Sequence, residues 1–559
     1  MSVYYEQPIL LPSGSDTITG YLYAPDRPVR TLLILPPLVE ERKACHRFLH
    51  DLARSLAAAG ILSLRIDYRG TADSGGTFSS FSCNDWQADA TIAFNWLANH
   101  TPHLTPAILG IRIGATIASL LPPPCSARFL IEPLSGTDFT RQLLQRHQIN
   151  QMLAYGKAQI TRAEIEAGWK NGATADLDGY AVTAKLATDL TNLNYKPWHE
   201  PGCVITTGTT KATTSQNDTP NAAHIPLRLP AFWNAVGHVD LSLLTSTLTD
   251  SIFKYHPATT TPKPLSPPPP IVATPIGSPL AITAPNGTIS AWLDPPPTTT
   301  PQARILFVHG WSGDRTGPHR MFTTFGRQLA QQGILSLRID LSGRGESKGD
   351  PNTATIADMT ADTVTALDWL RQHHPHHGPL IVVAICSGCK VAISAAAGAS
   401  DVDALVLWSA ESMGSLRSEA TGRRKTAAAL KSYARKLCRR ETWQKILTGR
   451  VRSSMVARAI VGHETRSACE AVAEDTTLNI FRNFPGRLLF LFGGSDPDAP
   501  GSSTAYESYC RRHKIDCTLH TIPHAGHSFY NTTWESSLLN LSTNFINTVV
   551  AAAKQKEQS

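Results

Sequence analysis

The chain has 559 residues, of which 42% are hydrophobic and 17% charged, with a formal net charge of +7. These values fit a globular protein of more than one domain and exclude a charge-rich disordered chain, and the mild positive charge hints at acidic partners without singling out nucleic acid. No run of about 18 apolar residues is present, so no transmembrane segment is expected; the ten cysteines do not form a disulfide framework, and Met1-Ser2-Val3-Tyr4-Tyr5-Glu6 lacks the basic and apolar regions of a signal peptide, so a cytoplasmic location is expected.

In chain order, the first chemical signal follows the short apolar strand Ala107-Ile108-Leu109. The next residues, Gly110-Ile111-Arg112-Ile113-Gly114, resemble the elbow of α/β-hydrolases. That elbow is a sharp strand-to-helix turn that exposes its central side chain, with small residues two positions to either side. Arg112 at its centre stays charged and is no nucleophile. An arginine at a helix N-terminus opposes the helix dipole, so it needs a counter-charge. Glu132, Glu40, Glu41 or an anionic ligand could supply one, and a purely structural role for this half is the other reading. From His256 to Pro270 the chain is rich in proline and threonine and reads as an extended linker.

Beyond the linker, Arg304–Val308 reads as a strand, Phe322–Gln332 as a helix stopped by Gly333, and Ile334–Ile339 as a strand. Ile356–Arg371 follows as a helix and Leu380–Ile385 as a strand. Ala404–Trp408, Leu488–Phe492 and Cys517–Ile522 are later strands. Strands alternating with helices imply a parallel sheet covered on both faces, with sites at the carboxyl ends of strands. The two halves are one repeat. Gly60-Ile61-Leu62-Ser63-Leu64-Arg65-Ile66-Asp67 recurs letter for letter at Gly333–Asp340, an offset of 333 − 60 = 273. Trp96-Leu97 and Trp369-Leu370 match at the same offset. The expected architecture is two tandem α/β-hydrolase domains, each a mostly parallel sheet covered by helices. The first spans 1–255, the linker 256–270 and the second 271–559, with a helical cap at about 409–480.

The second copy carries a full reactive set. Cys386 is the expected nucleophile, centred in Ala384-Ile385-Cys386-Ser387-Gly388. Ser387 fits less well, because Ile385 and Cys389 would then fill the positions that must be small. A thiol at a helix N-terminus is activated towards its thiolate. His527, in Gly526-His527, is the expected base, with His524 as its local competitor. Asp496, with Asp498 nearby, is the expected carboxylate that orients it. The backbone N–H groups of Trp311 and Ser387 are the expected oxyanion hole. No metal site and no cofactor are expected. Cys386-Ser387-Gly388-Cys389 also reads as Cys-x-x-Cys, a redox pattern. The His-rich turn after His373 reads as solvated. In the first copy the elbows align at 386 − 112 = 274, Pro36-Pro37 replaces His309-Gly310, Lys211 stands for Asp496, and only His238 matches His527.

Both halves resemble α/β-hydrolases. More narrowly, they resemble the two exosortase A system-associated hydrolases of bacterial exopolysaccharide and protein-sorting clusters. The second half is similar to type 1, through its cysteine elbow and the stretch Lys431–Leu437 with Trp443 and Gly449-Arg450-Val451. The first is similar to type 2, through its arginine elbow, Glu132–Gly136 and Arg141–Leu144. Ala384 and Ser387 depart from the family's glycine and acidic residue. The resemblance implies a hydrolase or acyltransferase acting on an ester or thioester in the second half alone. Related domains are commonly described as serine aminopeptidases, which a cysteine at the elbow argues against. The expected partner is a small-molecule or carrier-bound acyl substrate, not nucleic acid. The basic cap, from Arg417 to Arg452, could meet an acidic carrier protein or a membrane surface.

Overall fold

Each copy of the repeat builds one eight-stranded sheet. The computed structural model describes residues 4–208, 219–235, 239–259, 261–268, 274–298, 300–375, 378–417 and 468–558. In the first half the strands are β1 (Tyr4–Ser13), β2 (Asp16–Pro25), β3 (Arg30–Leu35), β4 (Ile61–Asp67), β5 (Ala107–Ile111) and β6 (Arg128–Ile131). A small separate hairpin, β7 (Ala175–Leu177) and β8 (Tyr180–Val182), precedes β9 (Gly202–Thr206) and β10 (Ala222–Pro226). The order is β1-β2-β4-β3-β5-β6-β9-β10. The second half repeats it with β11 (Ser278–Ala284), β12 (Gly287–Asp294), β13 (Arg304–Val308), β14 (Leu335–Ile339), β15 (Leu380–Ile385), β16 (Val402–Trp408), β17 (Arg487–Gly493) and β18 (Cys517–Ile522). Its order is β11-β12-β14-β13-β15-β16-β17-β18.

In both sheets the opening hairpin is antiparallel and the other strands run parallel. Parallel strands have both faces covered, so consecutive apolar residues serve opposite cores. On β13, Leu306 enters one core with Val382 and Phe490, while Phe307 enters the other with Trp408 and Phe545. The opening hairpins and the closing helix Thr532–Gln558 lie outside the elements expected from sequence. Of the expected cap, residues 418–467 lie outside the described residues, and Ala468–Phe481 is a helix. Among the described residues no helix is long and apolar enough to cross a membrane.

The repeat extends to single side chains. Ser82 and Asp85 close a capping box on the helix Cys83–His100, and Thr355 and Asp358 close one on Ile356–His373. Each box satisfies two backbone N–H groups that the first turn leaves open. Trp96 stacks on His100 at 4.8 Å, and Trp369 on His373 at 4.3 Å.

The two halves meet through reciprocal contacts. Arg65 donates to Glu346, and Arg338 donates to Asp73 at 2.6 Å. The differences 338 − 65 and 346 − 73 both equal 273, so an arginine–carboxylate pair joins the halves at each of two matching places, with Glu in one and Asp in the other. Arg47 binds the carbonyls of Ser347 at 3.0 Å and Gly349 at 2.9 Å. Its counterpart Arg320 binds those of Ser74 and, at 2.7 Å, Gly76. Residue i meeting j while the copy of j meets the copy of i is an isologous interface, as in a two-fold dimer. The symmetry is incomplete, since Arg315 crosses to Asp73 at 2.9 Å whereas Arg42 meets Asp314 at 3.5 Å. Burial pushes Asp73 upwards, but Arg315 and Arg338 outweigh it and hold the carboxyl far below its ordinary range.

Removing one partner from such a pair strands a buried charge, at a cost of about 3–5 kcal/mol. Glu346→Ala is expected to lower the unfolding free energy in urea by an amount in that range, and Asp73→Ala, which leaves Arg338 its pair with Asp294, by less. A midpoint within error of the parent would mean that these pairs do not hold the halves together.

Candidate active site

The two elbows have the same backbone. Arg112 sits at φ 58° and Cys386 at φ 59°, a left-handed geometry that costs a non-glycine residue energy unless its surroundings impose it. Those surroundings match. The Arg112 N–H donates to the Ile131 carbonyl at 2.8 Å, and that of Cys386 to the Trp408 carbonyl at 2.9 Å. Gly114 and Gly388 allow the following helix to close in. A Cβ on Gly114 would lie 2.3 Å from the Pro36 carbonyl oxygen, and one on Gly388 would lie 2.5 Å from that of His309. Ser387 has an ordinary φ of −63°, so Cys386, not Ser387, stands at the tip.

His527 lies on the loop after β18, and its Nδ1–H donates to Asp496 Oδ2 at 2.7 Å. Asp496 follows β17 and meets the imidazole. Asp498 donates its backbone N–H to Asp496 Oδ1 at 3.1 Å. His524 is turned towards the Tyr155 ring, 5.1 Å between centroids. Burial would lower the pKa of His527, but its hydrogen bonds to Asp496 and Cys386 push it up to about 10. The thiol, imidazole and carboxylate therefore form one connected chain of groups.

The Trp311 amide is engaged, donating to Ser387 Oγ at 2.7 Å. A substrate oxyanion would exchange with that hydroxyl to reach it. His309 shapes this loop from within. One ring nitrogen lies 2.7 Å from the Gly310 carbonyl, and the other accepts the Leu341 N–H at 3.1 Å. Arg344 braces the same loop through Nε to the Trp311 carbonyl at 2.5 Å, its guanidinium 4.7 Å over the indole.

Sequence reasoning missed Glu411. Its Oε1 accepts from the Cys386 thiol at 3.3 Å, and its Oε2 pairs with the Lys390 ammonium at 2.7 Å. Burial raises the Glu411 carboxyl, but Lys390 outweighs it and the net shift is downward. Two signals existed. Glu411 follows the strand beside the elbow strand, and Lys390 is four residues past Cys386, one turn up the same helix face. Cys389, the second half of Cys-x-x-Cys, is buried and donates to the Trp408 carbonyl at 3.4 Å. Burial holds its thiol well above the ordinary range.

A cavity of about 1440 Å³ lies between the halves. Cys386, His527 and Glu411 line it from the second half, and Arg112, Glu41 and Gln142 from the first. Of the three candidate partners of Arg112, Glu41 is the one it meets. Arg112 Nη2 donates to Glu41 Oε1 at 3.0 Å and to Gln142 Oε1 at 2.6 Å. The guanidinium also lies 4.4 Å over the Trp233 ring. Glu132 instead accepts the Thr207 hydroxyl at 2.6 Å. Lys211 and His238 lie outside the described residues. Burial outweighs Arg112 and lifts the Glu41 carboxyl above its usual range. With Arg112→Met that carboxyl loses its counter-charge, and stability is expected to fall by about 3 kcal/mol in urea unfolding. Arg112→Met with Glu41→Gln is expected to recover most of it. No recovery would mean that the pair is not what the arginine provides.

Comparison with known proteins gives a family match for residues 305–535, to the Alpha/beta hydrolase family. No curated protein matches the chain. Among solved structures, Est1E of Butyrivibrio proteoclasticus with bound ferulic acid is 17% identical, with a TM-score of 0.35 over 49% of this chain and 99% of that one. An esterase of Pyrococcus furiosus is 17% identical, with a TM-score of 0.34 over 50% and 96%. A dienelactone hydrolase of Anabaena variabilis is 17% identical, with a TM-score of 0.32 over 48% and 95%. These structural likenesses are too weak to carry a functional inference. The family match lies within the second half and agrees with its mostly parallel eight-stranded sheet, whose strand order the first half repeats.

Proposed function

We propose that the second half is an acyl hydrolase or acyltransferase acting on a carboxylic ester or thioester through Cys386, His527 and Asp496. The observation that carries it is the meeting of a cysteine at φ 59° on the elbow with an imidazole that is itself bonded to a carboxylate at 2.7 Å. His527 takes the thiol proton and the thiolate attacks the carbonyl carbon, forming a C–S bond. The carbonyl oxygen becomes an oxyanion, received by the Ser387 N–H and, once it leaves the Ser387 hydroxyl, by the Trp311 N–H. Collapse expels the alcohol or thiol, which receives the proton from His527 and leaves an acyl-Cys386 thioester. Water or another acceptor, deprotonated by His527, then releases the acyl group and restores the thiol. Glu411 competes with His527 for the resting thiol proton.

In this reading the first half is non-catalytic, because Arg112 cannot attack a carbonyl and its donors serve Glu41 and Gln142. The sequence resemblance supports a place in a bacterial exosortase-linked exopolysaccharide system, with a carrier-bound acyl group as one form of substrate and the cytoplasm as its location. The second reading is a binding protein of that same system. It is favoured by the Trp311 amide being already taken up by Ser387.

The experiment compares wild type with Cys386→Ala on short-chain p-nitrophenyl esters and acyl thioesters. The loss expected is about a thousandfold or more in kcat/KM, as for other nucleophile deletions. Equal rates for the two proteins would sink the catalytic reading. Slow iodoacetamide labelling of Cys386, no faster than that of the other cysteines, would then favour the binding reading.

A further inference from the structure

The loop that carries His527 is held from both halves of the molecule. It runs from the end of β18 to the helix Thr532–Gln558, and His524 and Phe529 within it sit at φ 60° and 52°. Left-handed non-glycine residues persist only where neighbours over-determine them. Within the second half, Ser409 Oγ donates to the His527 carbonyl at 2.7 Å, and the His319 ring lies 3.3 Å from the Ser528 carbonyl. The Ser495 N–H also donates to the Ala525 carbonyl at 2.9 Å, and the Phe529 N–H to that of Gly526 at 3.2 Å. Further anchors come from the first half. Tyr530 donates its hydroxyl to Glu40 Oε2 at 3.1 Å. Thr532 donates both its N–H, at 2.5 Å, and its hydroxyl, at 2.8 Å, to Asp176 Oδ2. Asn531 Oδ1 caps the closing helix locally, accepting the Thr533 and Trp534 N–H groups at 3.0 and 3.3 Å, and Asp176 adds, from across the interface, an acceptor for the Thr532 N–H that the first turn leaves open.

The acid is tied down in the same way. Ser495, the residue before Asp496, donates its hydroxyl to the Ala154 carbonyl at 2.8 Å. Next to it, the Tyr155 ring lies 5.1 Å from His524 and 5.8 Å from Trp534. The main ion pairs between the halves are elsewhere, around Glu346 and Asp73. These contacts instead cluster on the two loops that bear Asp496 and His527. Glu40 is also placed tellingly. It lies in the first turn of the helix Val39–Ala58 that follows Pro36-Pro37, at the position where the second half has its Trp311 loop. Its Oε1 accepts the Tyr180 hydroxyl at 2.9 Å and the His319 N–H at 3.3 Å, so it joins both halves at one carboxylate.

We infer that the first half takes part in the reaction as a positioning element, with Glu40, Asp176 and the Ala154 carbonyl holding the base and acid of the second half in line with Cys386. This rests on the acyl-transfer reading above. Productive geometry tolerates displacements of only about 0.5 Å, and misplacement by about 1 Å can cost a hundredfold in rate. Contacts that hold a loop to that tolerance therefore act on kcat more than on KM. They also act on the thiol, whose readiness to ionise depends on an imidazole at the right distance.

The test uses the full chain with Asp176→Ala, Glu40→Ala and Tyr530→Phe, and the conservative Asp176→Asn and Glu40→Gln. Three quantities are read: kcat and KM on a p-nitrophenyl ester, the pH midpoint of Cys386 alkylation by iodoacetamide, and thermal unfolding. Asp176→Ala and Glu40→Ala are expected to lower kcat about tenfold or more with KM within about twofold, and to move the alkylation midpoint upwards. Asp176→Asn keeps an acceptor for Thr532 and is expected to regain most of kcat. Tyr530→Phe cuts the Glu40 link from the far side and is expected to act in the same direction as Glu40→Ala. If an alanine variant fails to fold, Tyr530→Phe and Ser495→Ala, which each remove a single hydroxyl, decide the matter. Folded variants with unchanged kcat and alkylation midpoint would overturn the positioning role and leave the acyl-transfer reading intact. A wild type that is inert towards both ester and iodoacetamide overturns the acyl-transfer reading first.

Discussion

Two buried arginine–carboxylate pairs, Arg65 with Glu346 and Arg338 with Asp73, set the arrangement on which everything else depends. A guanidinium with under 3% of its side chain exposed must find its counter-charge; Arg65 finds it in Glu346 across the interface, and Arg338 divides its fork between Asp294 of its own half and Asp73 of the other. That need fixes the register between the sheets. It brings the carboxyl ends of both sets of parallel strands, and with them both elbows, to one cavity. Glu346 is held on further sides by His50 at 2.8 Å and by the Tyr23 hydroxyl at 3.0 Å, so the contact is directional as well as strong.

Within this frame one turn serves two ends. Arg112 and Cys386 share the same left-handed φ to within a degree, and glycines in matching places admit the helix that follows. What differs is what the tip touches. Cys386 meets an imidazole and a carboxylate that can take its proton. Arg112 meets Glu41 and Gln142 through Nε and Nη2, and Trp233 covers its face. Strain in a backbone is kept where something depends on it. In the first half that dependence is on an ion pair.

Much of the architecture was legible because it is local and periodic. Leu380–Ile385 and Cys517–Ile522 coincide with strands of the structure, since each is a short apolar or alternating run bounded by turn residues. The hairpin β11–β12 was not legible. Only six of its fifteen positions are buried, in no regular alternation, and Pro279 and Gly287 interrupt the pattern. At the site, the spacing of Cys386, Asp496 and His527 was readable as an order along the chain. Glu411 was not, because its significance lies in a side chain crossing from one strand end to the next. Glu40 and Asp176 were harder still. Asp176 sits in a three-residue strand, β7, whose sequence carries no mark of a loop some 350 residues away that it helps to hold.

The isologous interface has a consequence for the cavity it encloses. In a true two-fold dimer every change is made twice, so a chamber on the axis has identical ends. Joining the two copies in one chain lifts that constraint. One end has kept a thiol and the other has become a wall of paired charge and indole. The chamber thus has a head and a tail, and an elongated molecule inside it is no longer offered two equivalent orientations. The two ends of the one chamber therefore offer different chemistry to whatever enters it.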